Sequence, residues 1–308
     1  MPPEHLSDRF AGALLGLALG DALGAPHEGG PLERLVWRAI GRTCDGRRRW
    51  TDDTAMALDV AESLIERDGI DQDDLAERFA RSHRWSRGYG PGTAKLLRRV
   101  RRGEDWRRLA LTVFPGGSCG NGGAMRAPIV GLRYWNDAAR LSAATRASAE
   151  ITHAHPLGIE GALIVAHAAA AAIASGDAEV IRDAARRQAM SPEFERKFEI
   201  ADAWDRADVD APPREIARAL GNGTLATQSC VTAVHLATRF LDHDFNEMMA
   251  CIVRLRGDVD TIGAMAGAVW GAARGVGALP AEAIEDLEDL PRLRRAAEQL
   301  FRLSQAVA

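Results

Sequence analysis

Residues 6–23 are dominated by leucine, alanine and glycine, the composition of a buried helix whose neighbours approach closely. The same small-residue character runs through the chain. Alanine is abundant, aromatics make up 6%, and only two tyrosines occur. Strands favour aromatic and β-branched side chains, so this composition favours packed helices over sheets. The periodic segments agree. Residues 54–67 place Ala57, Ala61, Leu64 and Ile65 on one face and stop at Gly69. Residues 71–85 open with an acidic first turn, followed by Leu75 and Phe79 four apart. Further helices are predicted over 93–102, 137–150, 157–174, 192–207, 213–220, 224–241, 245–255, 261–275 and 281–308. Short pieces such as Leu111-Thr112-Val113-Phe114 are too isolated to build a sheet. The expected fold class is all-α.

At 308 residues the chain is long enough to bury about 75% of the surface it exposes when unfolded. No fixed-period repeat and no Ser/Gly/Pro-rich linker divides it. Residues 208–214 are the best boundary candidate, but the composition on both sides is the same. A single compact helical domain over 1–308 is expected. The net charge of −4 argues against a general electrostatic grip on nucleic acid. Cys44, Cys119, Cys230 and Cys251 form no C-x-x-C pair and are too sparse for a disulfide scaffold. They suit a reducing compartment. The start, Met1-Pro2-Pro3-Glu4-His5, lacks the basic and apolar pattern of a signal peptide. The most apolar run, 161–175, is too short to span a bilayer. A cytoplasmic monomer without a membrane partner is expected.

Four loops carry the chemistry-bearing residues. The first is Gly20-Asp21-Ala22-Leu23-Gly24-Ala25-Pro26-His27-Glu28, and the second is Trp50-Thr51-Asp52-Asp53-Thr54. The third, 116–126, is glycine-rich, and the fourth is Arg256-Gly257-Asp258-Val259-Asp260-Thr261. The second and fourth each present two carboxylates and threonine hydroxyls just before a helix. Hard oxygen ligands without nearby Cys or His suit Mg²⁺, Mn²⁺ or Ca²⁺ and not zinc. Either cluster alone reads first as helix capping. Converged, the opposed carboxylates would call for cations between them. The glycine loop permits close approach of backbone N–H groups to a phosphate, yet it fits neither G-x-G-x-x-G nor a Walker A pattern. His153 and His155 lie in a loop where ligand contact and loop hydrogen bonding are both open. His167 and His235 fall in apolar helices and read as satisfied interior side chains. The basic runs 47–49 and 98–102 read as solvated faces.

All four loops, in this order, resemble the ADP-ribosylglycohydrolase family. Three details point to its serine-specific branch: Arg87-Gly88-Tyr89-Gly90, the run 117–126, and Thr152-His153. The resemblance implies an all-α orthogonal bundle with a binuclear Mg²⁺ or Mn²⁺ centre. Thr51, Asp52, Asp53, Asp258, Asp260 and Thr261 would hold the metals. Glu28 matches the mobile family glutamate that approaches the metals and the scissile bond, and with Asp53 forms the expected catalytic pair. Gly117, Ser118, Gly120, Asn121, Gly122 and Gly123 would cradle the diphosphate and its ribose. Phe114 matches an aromatic that packs on adenine, and His153 a histidine that contacts the ligand.

Three positions depart from the family. Cys119 stands where the branch has a second adenine-stacking tyrosine, a loss worth about 1–3 kcal/mol of binding. The fourth loop has Arg256 and Val259 where the family commonly has Gly and Thr, and Val259 lacks a hydroxyl beside the ligands. The implied reaction is hydrolysis at C1″ of ADP-ribosyl-serine, poly(ADP-ribose) or O-acetyl-ADP-ribose. Nucleic acid enters only as an ADP-ribosylated acceptor. The rivals are an arginine-specific hydrolase and a non-catalytic ADP-ribose-binding protein. A Mg²⁺-dependent isoprenoid synthase would need D-D-x-x-D, but Asp52-Asp53-Thr54-Ala55-Met56 ends in Met.

Overall fold

Gly12, Gly16, Gly20 and Gly24 repeat every four residues along one face of the helix Pro3–Gly24. Gly263, Gly267 and Gly271 do the same along Val259–Arg274. The two helices run antiparallel with these faces together. Gly12 opposes Gly271, Gly16 opposes Gly267, Gly20 opposes Gly263, and Gly24 meets Val259 and Asp260. A Cβ at any of these glycines would run into backbone atoms of the partner helix. Contact between backbones, not between side chains, therefore sets the separation of this pair. The C-terminal end of the first helix is thereby brought against the N-terminal end of the second.

The computed structural model describes residues 3–305, apart from the side chains of Pro3, Glu4 and Glu33. Among the described residues there are seventeen α-helices and no β-strand. The all-α expectation holds. Met1, Pro2 and the last three residues of the predicted 281–308 helix lie outside the described residues. The rest of that segment is two helices, Ala281–Glu285 and Leu290–Gln305, separated by a turn with Asp289 at φ 50. Four helices were not expected: Pro31–Ile40, Trp106–Thr112, Ala127–Arg133 and Ala178–Arg186. Trp106–Thr112 takes in half of the 111–114 piece. Each is ten residues or shorter, so periodicity alone gives little signal.

The glycine-faced pair packs with Pro156–Ala174, which also touches Ala127–Arg133, Ala138–Glu150, Ala178–Arg186 and Ala226–Arg239. This helix is longer than the apolar run suggested. Its 19 residues pass for a membrane span by length and composition, correcting the expectation that the run was too short. The most apolar window is 72% buried inside the protein, as befits a core helix.

The run 47–49 is also more than a solvated face. Arg42 and Arg48 pair with Asp286 at 3.1 and 3.5 Å, and Arg49 with Glu288 at 3.8 Å. These contacts tie residues 41–50 to the turn before Leu290–Gln305, immediately ahead of Thr51.

Gly267→Val places a branched side chain where no space exists. It is expected to lower stability by about 3 kcal/mol or more in urea denaturation. Gly277→Ala, with open space around its Cβ position, is expected to stay within about 0.5 kcal/mol of wild type. Equal tolerance at both positions would refute the backbone contact as the determinant of helix spacing.

Candidate functional site

Two helix N-termini meet where the glycine-faced pair ends. Thr51 caps Asp52–Arg67, its hydroxyl accepting from the Asp53 N–H at 3.3 Å. Asp260 lies in the first turn of Val259–Arg274, and its carboxylate accepts from the Thr261 N–H at 2.9 Å. Asp21, near the end of the first helix, joins them. Its carboxylate accepts from the backbone N–H groups of Thr51 and Thr54, each at 3.0 Å, and from the Thr54 hydroxyl at 2.5 Å. The loop entering Asp52–Arg67 is thus held by a carboxylate from the first helix. It is steadied from outside by Arg87, whose guanidinium lies 3.8 Å above the Trp50 ring and donates to the Trp50 carbonyl at 2.7 Å. Arg87 also pairs with Glu288.

The fourth loop is held by a different device. Asn222 donates its amide to the carbonyls of Leu255 and Arg256 at 2.8 and 3.2 Å, and its own carbonyl accepts from the Asp258 N–H at 2.8 Å. Asn121 of the glycine-rich loop donates to the Asp258 carboxylate at 2.5 Å and to Ser229 at 2.9 Å.

Carboxylate oxygens of Asp21, Asp53 and Asp260 lie within 4.8 Å of one another, as do those of Glu28, Asp258 and Asp260. Burial raises the affinity of Asp52, Asp53 and Asp260 for protons well above the usual carboxylate range, and their mutual repulsion adds to it. Asp258 is raised by burial and partly restrained by its bond from Asn121. Asp21 is pushed by burial to about 6, with its four hydrogen bonds pulling the other way. One oxygen of Asp53, Oδ2, is buried without a hydrogen-bond partner among the described residues. An orphaned carboxylate oxygen amid hard oxygen donors fits a divalent cation such as Mg²⁺ or Mn²⁺. The capping and ligand readings of these loops are therefore not alternatives. The same turns do both.

A cavity of about 550 Å³ opens from the carboxylates. The size suits a nucleotide-like ligand. Glu28, Asp52, Asp53, Asp258, Asp260 and Thr261 line it together with Phe114, Gly117, Ser118, Cys119, Gly120, Asn121, Gly122 and His153. The glycine-rich loop is pinned to the segment ahead of Ala226–Arg239 by Asn121 N–H to Thr224 O at 2.9 Å and Ala226 N–H to Cys119 O at 3.0 Å. Beneath it lies the His153 ring, and a Cβ at Gly122 would overlap that ring. Burial holds His153 down at about 3, with nearby Arg126 adding to the effect, so it is neutral. Arg126 is itself fully buried. It donates to the carbonyls of Gly122 and Ser148 and to the Thr152 hydroxyl. Thr152 Oγ1 lies 2.8 Å from His153 Nδ1. With Arg126 donating to that hydroxyl, its proton is free to go to Nδ1. That favours the tautomer with the His153 proton on Nε2, beside Gly120 and Gly122.

The family model described as ADP-ribosylglycohydrolase matches residues 2–308. The chain belongs to the ADP-ribosylglycohydrolase family. It is similar to the ADP-ribosylhydrolase ARH3 of Danio rerio, at 32% identity over 94% of this chain and 90% of that protein. The Homo sapiens ARH3 is 31% identical over 96% of this chain and 94% of its own length. A solved structure titled "ADP-ribosylglycohydrolase-related protein complex" superposes with a TM-score of 0.72 at 30% identity, covering 98% of this chain and 99% of that one. Membership makes the chain a hydrolase of ADP-ribose glycosidic bonds.

Within this ADP-ribosylglycohydrolase site, two expected residues stand back from the cavity wall. Thr51 is buried as a cap, and Gly123 faces Ala149. Val259 is fully buried in the apolar core and does not line the cavity. His155 lines the cavity and caps Pro156–Ala174 through Nδ1, which accepts from the Leu157 N–H at 3.1 Å. His167 is satisfied by Ser142 at 2.9 Å. His235 departs from expectation. It is interior, but its Nδ1 has no hydrogen-bond partner among the described residues, and Asp205 stands 3.9 Å away. Sequence reasoning assigned no role to Asp21, Arg126 or Asn222. The signal for Asp21 was present, as an aspartate near the end of an otherwise apolar helix.

Arg256 carries the backbone strain of the site. Its φ of 61 and ψ of −168 lie in a region populated almost solely by glycine. Arg256→Gly is expected to raise stability by about 1 kcal/mol in urea denaturation, the relief of strain exceeding the entropy glycine adds to the unfolded chain. A loss of stability would show that the arginine side chain more than offsets the strain.

The raised carboxylates fix the sign of a pH effect in metal-free protein. The folded state binds more protons than the unfolded one, so the contribution of these groups is full below about pH 4 and falls as pH rises through 6 and beyond. Calorimetry in EDTA is expected to give a lower Tm at pH 8 than at pH 5.5. A higher Tm at pH 8 would mean that these carboxylates are not the dominant titrating groups.

Proposed function

We propose that the protein cleaves the bond at C1″ of the distal ribose in ADP-ribosylated substrates of the ADP-ribosyl-serine, poly(ADP-ribose) or O-acetyl-ADP-ribose type. The observation that carries this reading is the convergence of Glu28 with Asp258 and Asp260 in the cavity that also holds Phe114 and the glycine-rich loop. Cleavage at C1″ develops positive charge on the sugar. A ring of carboxylates stabilises such charge, and a glutamate at its edge is suited to handle the proton of the leaving oxygen.

Thr51, Asp52, Asp53, Asp258, Asp260 and Thr261 would hold two Mg²⁺ or Mn²⁺ ions, whose contribution when bound is Lewis acidity and a hold on the ribose hydroxyls. The rest is done by the chain itself. Backbone N–H groups of Ser118, Cys119 and Gly122 bind the diphosphate, those of Gly117, Gly120 and Asn121 being used within the protein, and His153 donates from Nε2. The buried Arg126 keeps the potential beneath that loop positive. Phe114, 44% exposed and set against Gly92, offers its ring to adenine. Cys119, where a second ring would stand in the serine-specific branch, leaves Phe114 as the main stacking surface. Arg87-Gly88-Tyr89-Gly90 favours a serine linkage over an arginine linkage.

The test is ADP-ribose release from serine-linked and arginine-linked ADP-ribosyl peptides with Mg²⁺, with Mn²⁺ and with EDTA. Metal-dependent release from the serine-linked peptide is expected. Asp53→Ala and Asp260→Ala should each cost at least about 10³ in kcat/KM while the far-ultraviolet circular dichroism stays helical, and Glu28→Gln about 10²–10⁴. Wild-type turnover in Asp260→Ala would sink the metal assignment. Release from the arginine-linked peptide alone would move the protein to the arginine-specific branch. Tight ADP-ribose binding without any release would make it a binding protein.

A further inference from the structure

Glu28 has a second cavity beside it. This space, about 360 Å³, shares Glu28 and Gly88 with the larger one and lies under the helix Pro31–Ile40. Leu32, Val36, Trp37, Ile40 and Trp85 form most of its wall. The helix is amphipathic, with Leu32, Val36 and Ile40 spaced by four along one stripe. Leu32 and Val36 of that stripe are left exposed, and Ile40 is half-buried. Leu32 is 69% exposed and Trp85 82% exposed. A cluster of large apolar side chains left open beside a reactive centre marks a binding surface.

The position identifies the occupant. A substrate cleaved at C1″ has two halves, and Glu28 stands where they join. The glycine-rich loop and Phe114 line only the larger cavity, which suits the ADP-ribose half. The acceptor half must leave C1″ past Glu28, and the smaller cavity begins there. Among the described residues its lining holds no lysine or arginine, and the charged group there is the Glu28 carboxylate. Three neighbouring arginines are engaged by protein groups, Arg34 at a residue that itself lines the cavity. Arg34 donates to the Gly29 carbonyl, Arg84 to the carbonyls of Arg81 and His83, and Arg87 to Glu288. A phosphate-rich acceptor would meet only Arg34 at the rim, already bonded to Gly29, whereas an apolar side chain would find a fitted wall.

We propose that this wall is an acceptor subsite for polypeptides that carry a large apolar or aromatic side chain beside the ADP-ribosylated residue. The inference rests on the hydrolase reading above. The test measures kcat/KM for two peptides of the linkage the enzyme hydrolyses, one with Leu or Phe beside the modified residue and one with Asp. An ADP-ribosyl ester of a small carboxylic acid and an ADP-ribosylated oligonucleotide end complete the set. Burial of one large apolar side chain predicts at least about a tenfold preference for the apolar-flanked peptide. Trp85→Ser and Leu32→Ser, both at exposed positions, should each bring that ratio close to one. A wild-type ratio near one, a ratio unmoved by either substitution, or a preference for the oligonucleotide over both peptides would overturn the proposal. Failure of the hydrolase reading shows separately, as no turnover of the small ester. In that event calorimetric binding of the two peptides decides the subsite by the same ratio.

Discussion

The backbone-to-backbone packing of Pro3–Gly24 on Val259–Arg274 is the constraint on which the site depends. Side chains normally keep helices 8–10 Å apart. Three glycine pairs remove that spacer here, and the fourth step of the ladder sets Gly24 against Asp260 itself. Asp21 and Glu28, one turn before and one turn after that contact, are delivered to the N-terminus of the partner helix. A shift of one helix by a single turn would move Asp260 by about 5.4 Å relative to Asp21 and Glu28 and separate it from them. The register of the ladder, set by groups with no chemistry of their own, is the register of the site.

That arrangement concentrates acid where isolated carboxylates would be costly. Asp52, Asp53, Asp258, Asp260 and Asp21 occupy one poorly hydrated region, and burial is the first cause of each raised proton affinity. Two helix N-termini pointing at the cluster offset part of the repulsion, because their unpaired N–H groups carry partial positive charge. Asp21 takes the N–H groups of Thr51 and Thr54, and Asp260 takes that of Thr261. Asp53 Oδ2 receives no hydrogen bond among the described residues. The residual field is negative and oxygen-lined, which is the condition a hard divalent cation meets.

The fold class and most helices were legible because their signals are local. Low aromatic content, abundant alanine and three-to-four-residue periodicity need no knowledge of the partner element. The four loops were legible for the same reason, and fourteen of the sixteen residues assigned to the site line one cavity. What was not legible is relational. Gly12, Gly16, Gly20 and Gly24 repeat at a helical period in plain view, yet their meaning appears only when Gly263, Gly267 and Gly271 face them. Arg48 looks like part of a solvated run until Asp286 is placed beside it. Arg126 sits in a motif dominated by glycine, and only burial shows that it ties Gly122, Ser148 and Thr152 together.

The two departures within the fourth loop separate into one without and one with a structural cost. Val259 points into the core, where an apolar side chain suits the surroundings better than a threonine hydroxyl would. Arg256 holds a backbone conformation that glycine adopts freely, and it does so at the entrance to Asp258. The conformation is imposed on it from outside. Asn222 grips the carbonyls on both sides of the kink and the N–H of Asp258, so the chain cannot relax without moving that carboxylate. Strain persists where surrounding contacts over-determine the backbone. Here those contacts are the ones that aim Asp258 at Glu28, so the loop's unfavourable geometry is the local cost of keeping the acidic cluster closed.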